Sequence, residues 1–316
     1  AKHFAGKDEL GGIGEKEIHE TIRFWTMSVR DYLEEYFESE VIKAHMAGSA
    51  IIGTALGPYS PGSAYVLLHH YMGEVDGNVG AWGYARGGMG SITQAMSKSL
   101  IANGGNIKAG SAVKNILVKN NRSYGLALEN GDEIYADKIV SNLDVKRTFL
   151  KVVEKKELPS EFYAAVKNFK IRGSSGKLNI ALDDKPIWKS IPKDDPASTG
   201  DLHFTQSIEE MEGAYDDWKD GKWSSLPYVD MCIPTLNDPT MAPQGKHYMS
   251  VFVQYVPYNL ADGGWTEEKR IQFGEHVMKR IGNYSTNFKD IVLHAEVRTP
   301  KELEAEVGLT EGNIFQ

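Results

Sequence analysis

A chain of 316 residues with 41% hydrophobic and 25% charged side chains is long enough to bury a substantial core in one or two domains. Its formal net charge of −8 argues against a nucleic-acid surface, and no apolar run approaches the ~20 residues that cross a bilayer. The single cysteine, Cys232, excludes an internal disulfide and fits a reducing compartment, so a cytoplasmic protein is expected.

Ile18, Ile22, Trp25, Val29, Tyr32, Leu33 and Tyr36 recur at helical spacing, and Glu38-Ser39-Glu40 breaks the pattern before a second helix from about Val41. Residues 47–57, the longest apolar stretch, read as a buried helix end rich in small residues. Pro61 is placed to open a third helix carrying Tyr65, Leu68, His69 and Met72. Neighbouring histidines on a helix point about 100° apart, so His69 and His70 do not converge on one site. No Cys or carboxylate stands at ligand spacing beside them, and no metal is expected.

The most informative run is Trp82 to Thr93, Trp-Gly-Tyr-Ala-Arg-Gly-Gly-Met-Gly-Ser-Ile-Thr. Gly87, Gly88 and Gly90 allow backbone angles and close approaches that a side chain blocks, and Ile92, Ala95, Met96, Ser99 and Leu100 then form a helical stripe. A turn opening onto a helix gathers free amides and the positive end of the dipole, which suits an anion, with Arg86 beside it. The run lacks the third glycine of a dinucleotide fingerprint and the GK[ST] of a P-loop. Asn103-Gly104-Gly105 ends the helix as a left-handed cap, and Val113, Ile116 and Val118 have strand character. A polar turn at 119–123 leads to a strand at 124–128. Asn130-Gly131 predicts a type I′ turn into Glu133-Ile134-Tyr135-Ala136. Lys138 to Asn142 reads as a short buried strand.

Helices are predicted over 159–169, from Ser207 to about Lys219 and over 266–281, with strands at 177–182, 228–233, 248–256 and 291–297. Ser207-Ile-Glu-Glu210 and Thr299-Pro-Lys-Glu302 are capping boxes. The class is α+β, with helices covering one face of a mostly antiparallel sheet. No Ser-His-Asp spacing or nucleophile elbow occurs, and Cys232 has no supporting pattern.

The order of glycine turn, helix, strand, meander and Val-Ser-Asn strand resembles the middle of flavin-dependent amine oxidase and phytoene desaturase-type oxidoreductases. Gly57-Pro58-Tyr59-Ser60-Pro61-Gly62, Leu67-Leu68-His69-His70, Ser141-Asn142-Leu143-Asp144 and Lys177-Leu178-Asn179-Ile180-Ala181-Leu182 extend the likeness along nearly the whole chain. The resemblance implies an α/β parent that binds FAD and passes a hydride from an apolar or amine-type organic substrate to the flavin. It implies a substrate domain in two parts, 1–86 and 147–316, around a partial FAD-binding domain at 87–146. Arg86, Gly87, Gly88, Gly90, Val113, Ser141 and Asn142 are then cofactor-facing, and Tyr59, Trp82, Tyr84, His203, Gln254 and Tyr255 are candidates for the substrate pocket.

The chain departs from the pattern at both ends. Gly11-Gly12-Ile13-Gly14 follows no apolar strand and does not make the pyrophosphate turn, residue 1 is Ala, and the sequence stops at Gln316, where such enzymes continue. The expectation is an internal fragment that retains no FAD by itself, turns nothing over, and is prone to self-association through the face left open. The competing reading is a non-catalytic module that binds an apolar ligand or another protein.

Overall fold

A computed structural model describes residues 14–193 and 195–315, so the Gly11 to Ile13 part of the N-terminal glycine run lies outside the described residues. The first helical segment is broken in two, α1 (Glu15–Thr26) and α2 (Val29–Glu34), because the Ser28 hydroxyl accepts from the Asp31 N–H and starts a new helix. Ser39 caps α3 (Glu40–Gly48) in the same way. Helix α4 (Ser63–Tyr71) begins after Gly62, whose φ is 86°; Pro61 therefore lies in the preceding turn and does not open the helix.

A two-stranded hairpin, β1 (Glu74–Val75) and β2 (Asn78–Val79), precedes α5 (Gly90–Ala102). Gly104 then caps α5 with φ 80°, as read from the sequence. Strands β3 (Val113–Lys119), β4 (Arg122–Leu128) and β5 (Glu133–Tyr135) form the expected antiparallel meander. Its second turn is not type I′. The Gly131 N–H donates to the Leu128 carbonyl and only Gly131 of the pair has a positive φ, so the turn is one residue earlier, with the glycine as its bulge. Residues 138–142 are extended but form no strand, and Val140 is 93% exposed; a strand exists only by pairing, and no described strand lies alongside.

The main sheet is five-stranded and antiparallel, in the order β10 (Val292–Arg298), β6 (Ser175–Leu182), β9 (His247–Gln254), β8 (Tyr228–Cys232), β7 (Leu202–His203). The apolar alternate residues Leu178, Ile180, Val229, Met231, Val251 and Val253 point to one face. There they meet Phe273, Val277 and Ile281 of α9 (Glu267–Gly282), all fully buried. A second core gathers at the Tyr228 end of the other face, where α2, α3 and α8 (Ile208–Lys219) contribute Leu33, Ala47 and Met211. Three shorter helices, α6 (Val145–Arg147), α7 (Ser160–Asn168) and α10 (Phe288–Ile291), and the terminal α11 (Pro300–Val307) complete the chain. Thr299 and Glu302 form the predicted capping box at α11. At α8 only half a box forms: Ser207 accepts from the Glu210 N–H, but the Glu210 carboxylate pairs with Arg280. Among the described residues, no helix is long and apolar enough to cross a membrane.

Candidate active site

The period-two rule that buries one face of the sheet leaves the other polar. Register aligns Lys177 (β6), Phe252 (β9), Asp230 (β8) and His203 (β7) in one row across four strands. Asn179, Ser250 and Cys232 form the next row. These rows are the floor of a cavity of about 1090 Å³. Its roof and lip come from Trp82, Tyr84, Arg86, Gly88 and Met89 of the glycine-rich segment, and its sides from His45, Asp201, Asp238 and Met241. The cavity thus lies between the main sheet and the turn that leads to α5.

The lip is tied down by carboxylates. Asp238 accepts from the Gly87 N–H at 2.6 Å, and Tyr84 donates to Asp201 at 2.9 Å. The Gly88 N–H is used within the turn, donating to the Ala85 carbonyl. These two amides are therefore committed to the chain itself, which corrects the expectation that the turn presents them to an external anion. The glycines are needed for their backbone angles, φ 81° at Gly87 and 84° at Gly88, and for close approach, since a Cβ on Gly88 would sit 3.3 Å from the Met241 methyl.

On the floor, Lys177 Nζ donates to Ser250 Oγ and Tyr248 donates to Asn179 at 2.7 Å. Burial lowers the Lys177 ammonium below its ordinary value. It pushes the Cys232 thiol up to about 11, with the Asp201 charge adding to the effect. Burial, again reinforced by Asp201 and partly offset by Lys177, raises the Asp230 carboxyl to about 7. The His203 imidazole is held below its ordinary value by burial.

The histidine has a defined orientation. Tyr228 is fully buried, and the partner of its hydroxyl is His203 Nδ1 at 2.8 Å. In the tautomer where the Tyr228 hydroxyl donates to Nδ1, the neutral ring carries its proton on Nε2, which faces Asp230 Oδ2 at 3.7 Å. Gly48 makes room for this pair, because a Cβ there would overlap the Tyr228 hydroxyl and come within 3.0 Å of His203 Nδ1. Gly48→Ala is expected to cost about 1–3 kcal/mol by overpacking, read from urea unfolding midpoints.

The structure brings Trp82, Tyr84, Arg86, Gly88 and His203 together at this cavity, with Gly87 and Gly90 adjoining in the turn. Three pocket candidates lie elsewhere. Tyr59 is on the surface, donating to Glu209 and lying under the Arg30 guanidinium at 4.8 Å. Gln254 is buried at the end of β9, where it accepts from the Gly53 N–H and donates to the Thr54 carbonyl. Tyr255 follows it with φ 69°, turned into the second core and donating to Leu56. Of the remaining cofactor candidates, Ser141 lines a separate groove beside the meander and bonds to Thr148 at 2.8 Å, Asn142 is exposed beside it, and Val113 begins β3. Lys177, Asp201, Asp230 and Asp238 were not singled out in the sequence. His69 is exposed and His70 half-buried against the Val66 carbonyl; their rings meet edge to face at 5.3 Å, and both lie beside Phe315.

The surface around the turn bears on a flavin. Helix α5, which follows the cavity lip in the chain, buries none of its side chains, and Ile92, Met96, Leu100 and Ile101 all stand exposed. Such a surface fits a large covering group and the protein around it. The phosphates would need other donors than Gly87 and Gly88.

The model for flavin containing amine oxidoreductases matches residues 28–295. The chain belongs to this family. Within it, the chain is 36% identical over 298 residues to pyridine nucleotide-disulfide oxidoreductase domain-containing protein 2 of Rattus norvegicus, covering 92% of the chain and 51% of that relative. It is 33% identical over 240 residues to the chloroplastic prolycopene isomerase of Daucus carota, covering 74% of the chain and 36% of the relative. The fold is shared with an oxidoreductase from Methanosarcina mazei, with a TM-score of 0.56 at 18% identity over 93% of this chain and 63% of that one. The chain spans about half the length of the curated relatives it matches most strongly.

Proposed function

We propose that this family member is the substrate-binding part of an FAD-dependent oxidoreductase, and that the cavity over the polar sheet face receives an organic substrate. The observation that carries the reading is the position of the glycine-rich turn, which lines the substrate cavity on one side and opens onto the bare face of α5 on the other. Residues 87–146 are read as a partial FAD domain set between the two parts of the substrate domain. Gly88 and Gly90 approach the cofactor through backbone, the Val113 backbone offers a donor and an acceptor, and Arg86, Ser141 and Asn142 supply polar contacts. A bound flavin would take two electrons from the substrate.

The chain's own residues hold and shield that substrate. Trp82, Phe252 and Met241 supply apolar walls, while Asp230, Lys177 and His203 give the floor ionisable and hydrogen-bonding groups. Carotenoid relatives make a polyene one option, and the polar floor favours a substrate with a polar group.

The chain is mixed with FAD, freed of unbound ligand, and its visible spectrum recorded. The expected result is a colourless protein, because each missing charge-assisted hydrogen bond to the phosphates removes roughly 1.5–3 kcal/mol. Extending the chain to the full length of its relatives is expected to give a yellow protein. An extended chain that stays colourless would sink the oxidoreductase reading and favour a non-catalytic ligand-binding module.

A further inference from the structure

Building on the proposed oxidoreductase reading, we infer that Asp230 is the proton acceptor of the cavity, and that the substrate carries its exchangeable proton on nitrogen or oxygen next to the oxidised C–H bond. The inference starts from which carboxylates are free. Asp201 is engaged by the Tyr84 hydroxyl and Asp238 by the Gly87 amide. Asp230 lines the middle of the floor row with 15% of its side chain exposed, and receives no hydrogen bond among the described residues. An accepting group with that little water and no partner is costly to keep unless a ligand supplies the donor.

His203 is the positioning residue. Tyr228 fixes the ring through Nδ1 at 2.8 Å, and in the tautomer where the hydroxyl donates, the Nε2 proton faces the Asp230 carboxylate at 3.7 Å without reaching it. The other titratable groups around the cavity are Lys177 from β6, Cys232 from β8, Tyr248 from β9, His45 from α3, Tyr71 from α4, and Tyr84, Arg86, Asp201 and Asp238 from the rim. Lys177 is tethered to Ser250, and the thiol of Cys232 stays protonated near neutrality, so neither competes as a base. The Asp230 carboxyl, raised to about 7, is poised to gain and lose a proton at physiological pH.

The step balances as follows. The N–H or O–H bond of the substrate breaks and its proton goes to an Asp230 oxygen, giving the neutral carboxylic acid. With oxidised flavin bound as the acceptor, the electron pair left on nitrogen or oxygen would form the new double bond to carbon, and the C–H hydrogen would leave with its own pair to that cofactor. The substrate is thereby oxidised by two electrons to an imine or carbonyl compound. A pure hydrocarbon would bury Asp230 with nothing to bond to it.

The test uses the 316-residue chain and three probes of one shape: benzyl alcohol, benzylamine and toluene, with affinities from calorimetry. Benzyl alcohol and benzylamine are expected to bind at least tenfold more tightly than toluene at pH 8, and Asp230→Asn to abolish that preference. The affinity for benzyl alcohol is expected to rise about tenfold from pH 6 to pH 8 as the carboxylate forms. A circular-dichroism spectrum establishes that the variant is folded, and His203→Gln provides a second variant, expected to weaken the preference. Equal binding of toluene, or a preference that survives Asp230→Asn, overturns the proposal even if the extended protein is yellow. An Asp230-dependent preference in an extended protein that takes no flavin overturns the oxidoreductase reading and the redox step with it. Benzylamine alone showing the preference assigns the donor to an ammonium, and benzyl alcohol alone to a hydroxyl; each supports Asp230 as the acceptor.

Discussion

At pH 8 the Asp230→Asn chain is expected to be more stable than the unaltered one, by about 2–4 kcal/mol, and at pH 4 the two are expected to be nearly equal. The cause is the cost of an ionised carboxylate on a buried floor without a hydrogen bond. Folding raises this carboxyl from its ordinary 3.8 to about 7. Between those values the folded chain keeps a proton that the unfolded chain has released, so stability falls as pH rises through the window and levels off above it. Each pH unit of the window is worth about 1.4 kcal/mol, and solvent in the cavity and the Lys177 ammonium relieve part of the total. Asparagine cannot ionise and escapes the loss. His203, largely enclosed, and His45, more exposed, are held below their ordinary values by partial burial and work in the opposite sense, their contribution to stability growing as pH rises toward 6.5. The difference between the two chains cancels those contributions, and urea melts at pH 4, 6 and 8 measure it. An Asp230→Asn chain less stable at pH 8 would mean that the carboxylate is already well paired.

A position where removing charge stabilises the fold is one held for some other reason than folding. That argument ties the stability measurement to the binding measurement, since one residue is expected to lose the ligand preference and gain stability by the same substitution.

Much of the fold was legible because its signals are local. The Ser39, Ser207 and Thr299 caps and the Gly104 helix stop each depend on a few consecutive residues, and the three strands of the meander form over the predicted runs, joined by short local turns. The errors fall where the answer lies outside the window. Asn130-Gly131 suits both a type I′ turn and a type I turn with a glycine bulge, and the strand pairing decides between them. Residues 138–142 have strand composition and no partner. The site was half legible. Trp82, Tyr84 and His203 were found, but Gln254 and Tyr255 were grouped with them although β9 ends between the two and the chain then turns away. Reading the alternation through β6, β8 and β9 together would have placed Lys177, Asn179, Asp230, Cys232, Ser250 and Phe252 on one face, and it needs no register. What no single strand reveals is that Asp230 and His203 are cross-strand neighbours.

Replacing Glu210 by alanine is expected to cost about 3–5 kcal/mol, the usual penalty for stranding one member of a buried ion pair. Arg280 of α9 is 8% exposed and reaches across to the Glu210 carboxylate on α8 and to the Phe204 carbonyl, the residue directly after His203. The pair therefore clamps two helices to the end of β7. Without Glu210 the guanidinium keeps its charge in a site with little water, and the Phe204 carbonyl alone does not balance it. A double variant, Glu210→Leu with Arg280→Met, removes both charges and keeps the volume, and is expected to recover most of the loss, because the net worth of a buried pair over well-packed apolar side chains is small. Urea unfolding of the two single variants and the double one gives the coupling between the positions. If the double variant recovers stability but loses the preference for benzyl alcohol over toluene, the clamp has its value in holding β7, and with it His203, against Asp230. If it recovers both, the pair serves the fold alone, and the orientation of His203 comes from Tyr228.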